Sequence, residues 1–191
     1  MTQPVANLRV RRTQKLLREA LIDLIEERGF ESLTVGEITE RAMVSRAAFY
    51  RNYQDKYDLV EQIFAEAMQA LLNAVSKPET AHSSEIWVRF FEHISEYDRL
   101  YRALLGRKGS PWFVLKMRAS LVDLLKEFER FAAAGRPIYP TGYEFVPDLL
   151  AAMMVEAITW WLEHGKPHPS QEMANRCIRL AGAIFVETST W

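Results

Sequence analysis

The sequence has little cysteine, glycine or proline. Cys177 is the single cysteine among 191 residues, and glycine and proline occur eight times each. One cysteine excludes an internal disulfide framework and fits a reducing compartment, so we expect Cys177 to be a packed small hydrophobe. The remaining composition, 49% hydrophobic and 26% charged, is typical of a globular protein long enough to bury a core.

Long hydrophobic runs are also missing. The longest apolar stretch, residues 149–162, is interrupted by Glu156 and Thr159 and is too short to span a bilayer. Residues 1–8 contain no apolar run of the kind found in signal peptides. These features predict a cytoplasmic protein with no membrane contact.

The sequence lacks the motifs of common enzymes and metal sites. It has no nucleophile elbow, phosphate loop or paired-carboxylate constellation, so neither enzyme activity nor a cofactor is expected. Its four histidines form no ligand pattern, because Gly165 and Pro167 break the helix that would align His164 with His168. No metal site is predicted.

Positive charge is concentrated in two segments although the whole chain is nearly neutral. The net charge is −1, from 24 basic and 25 acidic residues. Residues 1–18 nevertheless carry five basic residues and no acid, and residues 45–53 carry Arg46 and Arg51 and no acid. Such local charge fits a surface that contacts phosphates, although solvated helix faces would give the same pattern.

Helical periodicity dominates the chain, and no alternating strand pattern is present. We expect an all-α fold of about nine helices, with a three-helix helix-turn-helix domain over residues 1–56 and an effector-binding and dimerisation bundle over residues 57–191. The expected helices run over about 10–28, from 34, from 45, over about 55–75, 84–97, 100–105, 111–133, 143–164 and 170–187. Residues 76–84 resemble a linker.

Residues 34–56 combine two helix starts with a tight turn. Thr34 and Glu37 form a capping-box pair, and Ser45 is a favourable N-cap. Phe49 is the expected core residue of the short helix that follows. This layout is typical of a helix-turn-helix whose second helix enters a DNA major groove.

The second of these helices presents small and polar residues away from the side that buries Phe49. Arg46 can bond guanine bidentately, and Asn52 can reach adenine or a phosphate. Hydroxyl and ammonium groups on the same segment are expected to contact the DNA backbone. The residues predicted to face DNA on these grounds are Thr34, Arg46, Ala47, Tyr50, Asn52, Tyr53 and Lys56.

One spacing carries a family resemblance. The aromatic pair Phe49-Tyr50 is followed three residues later by Tyr53 and three residues after that by Lys56. With the preceding segment 38–45, this pattern resembles the N-terminal domain of the tetracycline-repressor (TetR) family over about residues 10–62. The bundle resembles the family in architecture only.

The resemblance implies a homodimeric, all-helical transcription regulator that binds a partly palindromic double-stranded operator. The family's groove and phosphate positions fall on Thr34, Ser45, Arg46, Ala47, Ala48, Tyr50, Asn52 and Lys56, with Arg11 and Arg12 on an N-terminal arm. Two residues depart from the family pattern. Met43 stands where glycine is frequent in the turn, so an altered turn is expected, and Ala48 replaces a frequent hydroxyl residue.

Aromatic residues crowd the bundle. Most are expected to form its core, but some can line a cavity for a small hydrophobic or amphipathic effector, as the resemblance also implies. The predicted lining residues are Trp87, Phe91, Trp112, Met117 and Trp160.

The apolar segment 149–162 and the last helix are predicted to form a dimer interface. A helix that is apolar nearly all round must be covered on every side, and a partner subunit can cover one of them. The predicted interface residues are Met154, Ile158, Trp161, Ile178, Ala181 and Phe185. Glu156 is expected to pair with Arg176 or Arg179, within the chain or across the dimer; the alternative is an anchor for a cationic effector.

These features lead to one principal hypothesis and two alternatives. The principal hypothesis is a dimeric repressor whose operator binding is controlled by a small effector in the bundle. One alternative is a regulator controlled by a partner protein, with a filled bundle and no cavity. The other is a helical protein-interaction module without a DNA function.

Overall fold

The computed structural model describes residues 3–75, 83–132 and 145–188 of the chain. Within these residues it has no strand and contains the helices α1 (Gln3–Arg28), α2 (Val35–Arg41), α3 (Arg46–Tyr50), α4 (Lys56–Val75), α5 (Ser83–Glu96), α6 (Asp98–Leu105), α7 (Pro111–Ala132), α8 (Val146–Glu163) and α9 (Ser170–Thr188). The predicted all-α fold, with a helix-turn-helix followed by a helical bundle, is confirmed. Most of the predicted linker lies outside the described residues.

Helix α1 begins at Gln3 rather than near Val10. Its inner stripe of Leu17, Leu21 and Ile25 is fully buried. The helix ends at Arg28 because Gly29 adopts a left-handed φ of 84°, which glycine accepts without a steric penalty. A Cβ atom at this position would also lie 3.1 Å from the carbonyl oxygen of Lys108, so the glycine permits close approach of a distant loop.

The two predicted caps are present at the starts of α2 and α3. The amide of Thr34 donates to Glu37 Oε2 at 2.9 Å, and the amide of Glu37 donates to Thr34 Oγ1 at 3.3 Å. These bonds from Thr34 lower the pKa of Glu37, so its carboxylate stays charged at the positive end of α2. At α3 the amide of Ala48 donates to Ser45 Oγ at 3.1 Å.

The turn between α2 and α3 keeps a left-handed residue in spite of its sequence. Met43 has a φ of 53°, and its side chain is 89% exposed. This conformation costs about 1–2 kcal/mol for a residue that carries a Cβ. Two turn bonds hold it, from the Met43 amide to the Glu40 carbonyl and from the Val44 amide to the Thr39 carbonyl, both 3.0 Å. The altered turn expected from Met43 is therefore not found.

The bundle consists of paired helices. Helix α5 packs on α9, α7 packs on α8, and α6 contacts both α1 and α8. The fully buried Phe91 of α5 meets Trp161 of α8 edge to face, with ring centroids 5.5 Å apart. On the other side of α6, Arg99 donates to Asp23 at 2.9 Å and to Glu26 at 2.7 Å, which ties the bundle to α1.

Helix α8 buries the face that was predicted to meet a partner subunit. Met154, Ile158 and Trp161 are buried by the chain's own helices α5, α6 and α7. Trp161 is only 1% exposed, and its indole nitrogen donates to the carbonyl of His168 at 2.8 Å. These three residues are therefore core residues and not interface residues.

The exposed face of α8 is adjacent to this buried face. Leu149 and Trp160 are 48% and 42% exposed, and Met153 between them is half-buried. Their spacing of four and seven residues places all three on one side of the helix. On α9, Ile178, Ala181 and Phe185 are half-buried and pack against the core rather than projecting from it. None of the described helices has the length and hydropathy that a membrane-crossing helix needs.

Candidate nucleic-acid interface

Helix α3 presents a small exposed surface around one buried residue. Phe49 is fully buried and packs on the rings of Tyr50 and Tyr53, both at 5.5 Å. Ser45, Arg46, Ala47 and Tyr50 are exposed, and the Tyr50 side chain is 59% exposed. Ala48 is half-buried at the edge of this surface. The exposed groups provide a cation, two hydroxyls and a methyl group, which is a set that can contact base edges and phosphates.

Gly36 gives Arg46 its place on this surface. A Cβ atom at residue 36 would lie 2.6 Å from Nη2 of Arg46, so the guanidinium of α3 rests directly against the backbone of α2. Arg46 therefore links the two helices of the motif while its residue remains exposed. Gly36 is not among the residues predicted from the sequence, although a glycine inside a short helix is a signal of close approach.

Thr34 and Asn52 are placed at the two ends of the exposed surface but already make bonds within the motif. The hydroxyl of Thr34 donates to Glu37 Oε2 at 2.9 Å. The side-chain amide of Asn52 donates to the Ala48 carbonyl at 2.8 Å, and its backbone carbonyl accepts from Gln62 of α4 at 3.2 Å. Thr34 is exposed and Asn52 is half-buried, so each can offer a remaining polar group to a ligand.

Tyr53 does not lie on the predicted surface. Its side chain is 5% exposed, because the ring packs on Phe49 in the core of the motif. The family spacing identified the residue correctly as aromatic but did not show which way it points. We therefore leave Tyr53 out of the candidate contact set.

Lys56 has a structural role in place of the predicted phosphate contact. Its ammonium donates to the carbonyls of Phe30, Glu31 and Leu33 at 2.9, 2.9 and 3.0 Å. The same group lies over the rings of Phe30 and Tyr57, at 4.7 and 5.3 Å from their centroids. All three ammonium hydrogens are used, and the partial burial lowers the pKa of Lys56. In this conformation Lys56 has no donor left for a phosphate.

Arg11 and Arg12 are exposed, as predicted, but they lie on a helix and not on an extended arm. Both belong to the N-terminal part of α1, which is helical from Gln3. Thr13 in the same turn bonds back to the carbonyl of Arg9 at 3.0 Å. A helix fixes the two guanidinium groups on neighbouring positions of a rigid element.

Two loops from distant parts of the chain meet beside these helices. We name residues 29–33 the corner loop and residues 106–110 the clasp loop. The amide of Phe30 donates to the carbonyl of Lys108 at 3.2 Å. In return, the ammonium of Lys108 donates to the carbonyls of Glu26 and Glu27 at 3.2 and 3.3 Å. The clasp loop therefore satisfies free carbonyls at the C-terminal end of α1.

Trp112 belongs to this junction. Its ring stacks on Phe30 at 6.5 Å and meets Tyr57 edge to face at 5.0 Å. These contacts join α7, the corner loop and α4 in one aromatic group. Trp112 therefore connects the motif to the bundle, and its place in the lining of a cavity stays a prediction.

The other predicted pocket residues separate into buried and exposed positions. Phe91 and Met117 are completely buried, so not even a water molecule fits beside either side chain. Trp87 is also buried, whereas Trp160 is exposed and stacks on His164 at 4.6 Å. Within the described residues, no three His, Cys, Asp or Glu side chains are placed to hold a metal ion.

Replacing Lys56 with methionine is expected to lower the free energy of unfolding by about 1–3 kcal/mol, because three carbonyls lose their shared donor. Urea denaturation followed by circular dichroism measures the change. The matched control is Arg51→Met, since Arg51 is exposed and its side chain makes no bond within the described residues. Equal stability of Lys56→Met and the wild type would contradict the structural role of Lys56.

Comparison with known proteins follows the same division of the chain. A family model of bacterial regulatory proteins of the tetR family matches residues 17–63. A second model, of a transcriptional regulator C-terminal region, matches residues 81–182, which is more than half of the chain. The two matches cover the helix-turn-helix and the bundle respectively.

Individual relatives match shorter parts of the chain. The HTH-type transcriptional regulator YxbF of Bacillus subtilis (strain 168) is 34% identical over 70 residues, covering 35% of this chain and 18% of the relative. The HTH-type dhaKLM operon transcriptional activator DhaS of Lactococcus lactis subsp. lactis (strain IL1403) is 30% identical over 61 residues, covering 32% and 33%. The chain spans less than half the length of the curated relatives it matches.

The likeness of the fold extends over nearly the whole chain. A TetR-family regulator from Syntrophomonas wolfei str. Goettingen superposes with a TM-score of 0.67, covering 92% of this chain and 96% of the other at 14% identity. At this identity the likeness concerns the fold alone. The family models, the helix-turn-helix and the shared fold agree, and the chain belongs to the TetR family of bacterial regulatory proteins.

Proposed function

We propose that the protein is a cytoplasmic, homodimeric transcription regulator that binds a partly palindromic operator through α3. One observation carries this proposal: Ser45, Arg46, Ala47 and Tyr50 are exposed together at α3, while Phe49 of the same helix is fully buried. A recognition helix needs this division, since one face must pack on its own domain and the other must enter a major groove.

Base reading and backbone contact are proposed for different residues. Arg46 bonds a guanine edge, and the Ala47 methyl group allows close approach to a thymine methyl. The phosphate contacts come from Ser45, Tyr50 and the ends of the motif. Residues proposed for the ends are Thr34, Asn52, Arg11 and Arg12, with Ala48 at the edge of the groove surface.

The proposed dimer uses the exposed face of α8. Leu149 and Trp160 are exposed on one side of that helix with the half-buried Met153 between them, and the three form an apolar stripe. Two copies related by a twofold axis can bury the stripe against each other. The proposed interface therefore lies on a different face of α8 from Met154, Ile158 and Trp161, which were predicted from the sequence.

Two charged residues near the stripe support the same arrangement. Glu156 and Arg179 are exposed, and neither makes an ion pair within the described residues, whereas Arg176 is held by Glu172 at 2.5 Å. The expected pairing of Glu156 with Arg176 inside the chain is therefore not found. We propose that Glu156 pairs with Arg179 of the second copy, which extends the interface from α8 to α9.

Control is proposed to act through the bundle, which follows the helix-turn-helix domain of residues 1–56 and comprises residues 57–191. A small hydrophobic or amphipathic effector would stabilise an arrangement in which the two recognition helices no longer match the one-turn groove spacing. An open groove of about 380 Å³ beside Ser95, Lys166 and His168 has Trp161 in its wall. Trp161 also contacts Phe91, so this side chain lies between the groove and the core.

A second form of control is favoured by the closed core. Phe91 and Met117 are completely buried, so an effector that contacts them must first displace neighbouring side chains, whereas a partner protein can act from outside. Repression is the proposed outcome, because a dimer across two successive major grooves blocks any promoter that overlaps them. The relative DhaS is named as an activator, so a reporter gene must decide the sign.

Removal of the proposed reading groups is expected to weaken operator binding. Arg46→Ala should raise the Kd by about tenfold or more, since a good bidentate base contact is worth about 1–3 kcal/mol. Tyr50→Ala should also raise the Kd, because its proposed phosphate contact is lost. Gel shifts with an operator selected from random sequence by the wild type measure the change. Arg89→Ala, at an exposed arginine of α5, is the matched control and should bind normally. Unchanged binding by both α3 variants would refute the role of this helix.

The dimer is tested by a charge in the apolar stripe. Leu149→Asp should give monomers at concentrations where the wild type is dimeric, because an unpaired carboxylate in an apolar interface costs several kcal/mol. Sedimentation velocity measures the state. Leu115→Asp is the control, since Leu115 is 63% exposed on α7, away from the stripe. A dimeric Leu149→Asp protein, or a monomeric wild type, would rule out this interface.

Effector control predicts release of the operator by a small compound. Among medium-chain fatty acids and aromatic carboxylic acids, at least one should raise the operator Kd by about tenfold, a coupling typical of allosteric regulators. Phe91→Leu, which makes space beside Trp161, should change the concentration that gives half-release. If the whole panel leaves the complex intact and a purified partner protein releases it, the second form of control is the correct one.

A further inference from the structure

We infer that Glu31 is a positioning residue for operator recognition: its carboxylate joins the DNA-binding helices to the bundle and so fixes the orientation of α3. This inference rests on the proposed DNA-binding function. Glu31 itself lies on the corner loop, and we assign it no DNA contact.

The carboxylate of Glu31 connects three elements of the structure through hydrogen bonds. Oε1 of Glu31 accepts a hydrogen bond from Ser110 Oγ of the clasp loop at 2.9 Å, and Oε2 accepts one from the hydroxyl of Tyr57 on α4 at 3.3 Å. The corner loop, α4 and the clasp loop therefore share a single side chain. Hydrogen bonds to a charged acceptor are stronger than neutral ones.

The chemistry of both donors is suited to this bond. Burial and the neighbouring Glu31 carboxylate raise the pKa of Tyr57, so its hydroxyl keeps its proton and donates. Ser110 is 1% exposed, and its amide is bound to the carbonyl of Leu104 at 2.9 Å. The serine hydroxyl is therefore held by buried backbone and has little freedom to turn away from Glu31.

The surrounding contacts make the junction stiff. Lys108 binds the end of α1 on one side of the corner loop, and Trp112 supports Phe30 and Tyr57 on the other. Lys56 holds three carbonyls of the same loop. A displacement of the clasp loop must therefore move the corner loop and, through it, the start of α2.

The stiffness of this junction affects binding to the full operator, which requires both half-sites, and not binding to a single half-site. In the proposed dimer the twofold contact lies on α8, whereas the reading surface lies on α3, and the two recognition helices must meet grooves about 34–36 Å apart. A loose junction leaves each reading unit intact but lets the distance between them vary. That freedom must be lost when both half-sites are bound, so a loose junction weakens binding to the full operator and not to one half-site.

The test is a double-mutant cycle on the full chain. Glu31→Ala and Ser110→Ala should each raise the full-operator Kd by about fivefold, and the double variant should bind no more weakly than the single ones. The cycle cancels a side effect of Ser110→Ala, because Ser110 Oγ also accepts the amide of Phe113 at the start of α7, at 3.4 Å. The operator is the sequence that the wild type selects from random DNA.

Three controls separate positioning from other roles. Glu40→Ala removes an exposed acid of α2 that makes no side-chain bond within the described residues, and it should not weaken binding. Glu31→Gln keeps an acceptor for Ser110 and should restore affinity for the operator. The affinity for a single half-site and the salt slope of log Kd should match the wild type, because no phosphate contact is lost. Binding is compared below the melting temperature of every variant.

The possible results separate the positioning role of Glu31 from the proposed DNA-binding function. Full-operator affinities equal to the wild type, additive losses in the double variant, or an equal loss on the half-site would overturn the positioning role of Glu31. A wild type that selects no sequence at all would instead refute the proposed function. A loss confined to the full operator, with an unchanged salt slope, is the result that positioning requires.

Discussion

The ammonium of Lys56 binds three carbonyls of the corner loop, and the rest of the structure depends on that loop. The loop reverses the chain between α1 and α2, so its carbonyls point inward without helical partners of their own. One cation satisfies them from α4, while the carboxylate of Glu31 leaves the same loop towards Tyr57 and Ser110. The corner loop is thus held by the positive charge of Lys56 on one side and by the negative charge of its own Glu31 on the other. The chain continues from the corner loop into α2 of the helix-turn-helix, and Glu31 connects the same loop to Tyr57 and Ser110 of the bundle.

The features that could be predicted from sequence are those with local causes. The Thr34–Glu37 box and the Ser45 cap are bonds across three residues, and the burial of Phe49 follows from helical spacing. Tyr53 and Lys56 were assigned to the wrong surface because family spacing gives the residue type and not its direction. The partners of Lys56 lie 23 to 26 residues away, and no periodicity in the sequence points to them. The same limit applies to Gly36, whose purpose is visible only when Arg46 rests on it.

Helix α8 shows a related limit for the bundle. Its sequence is apolar nearly all round, so composition predicts that every face is covered but not by what. Trp160 and Trp161 are adjacent in sequence and about 100° apart on the helix, and one is exposed while the other is core. The structure settles the choice because α5, α6 and α7 take the side that carries Trp161. The proposed dimer contact then falls on the side that remains.

The route by which the bundle can influence α3 follows from where the two parts touch. Arg99 joins α6 to α1, and the clasp loop directly after α6 joins the corner loop, so both connections start from the same short helix. Helix α6 also contacts α8, where Trp161 separates the surface groove from Phe91. Helix α8 also packs on α7, which carries Trp112 at the junction, so a ligand or a partner that displaces α8 can act on the reading unit through α6 or through α7. The aromatic residues that sequence grouped as one pocket therefore have different surroundings: Trp87 and Phe91 are buried, Trp160 is exposed, and Trp112 contacts the corner loop.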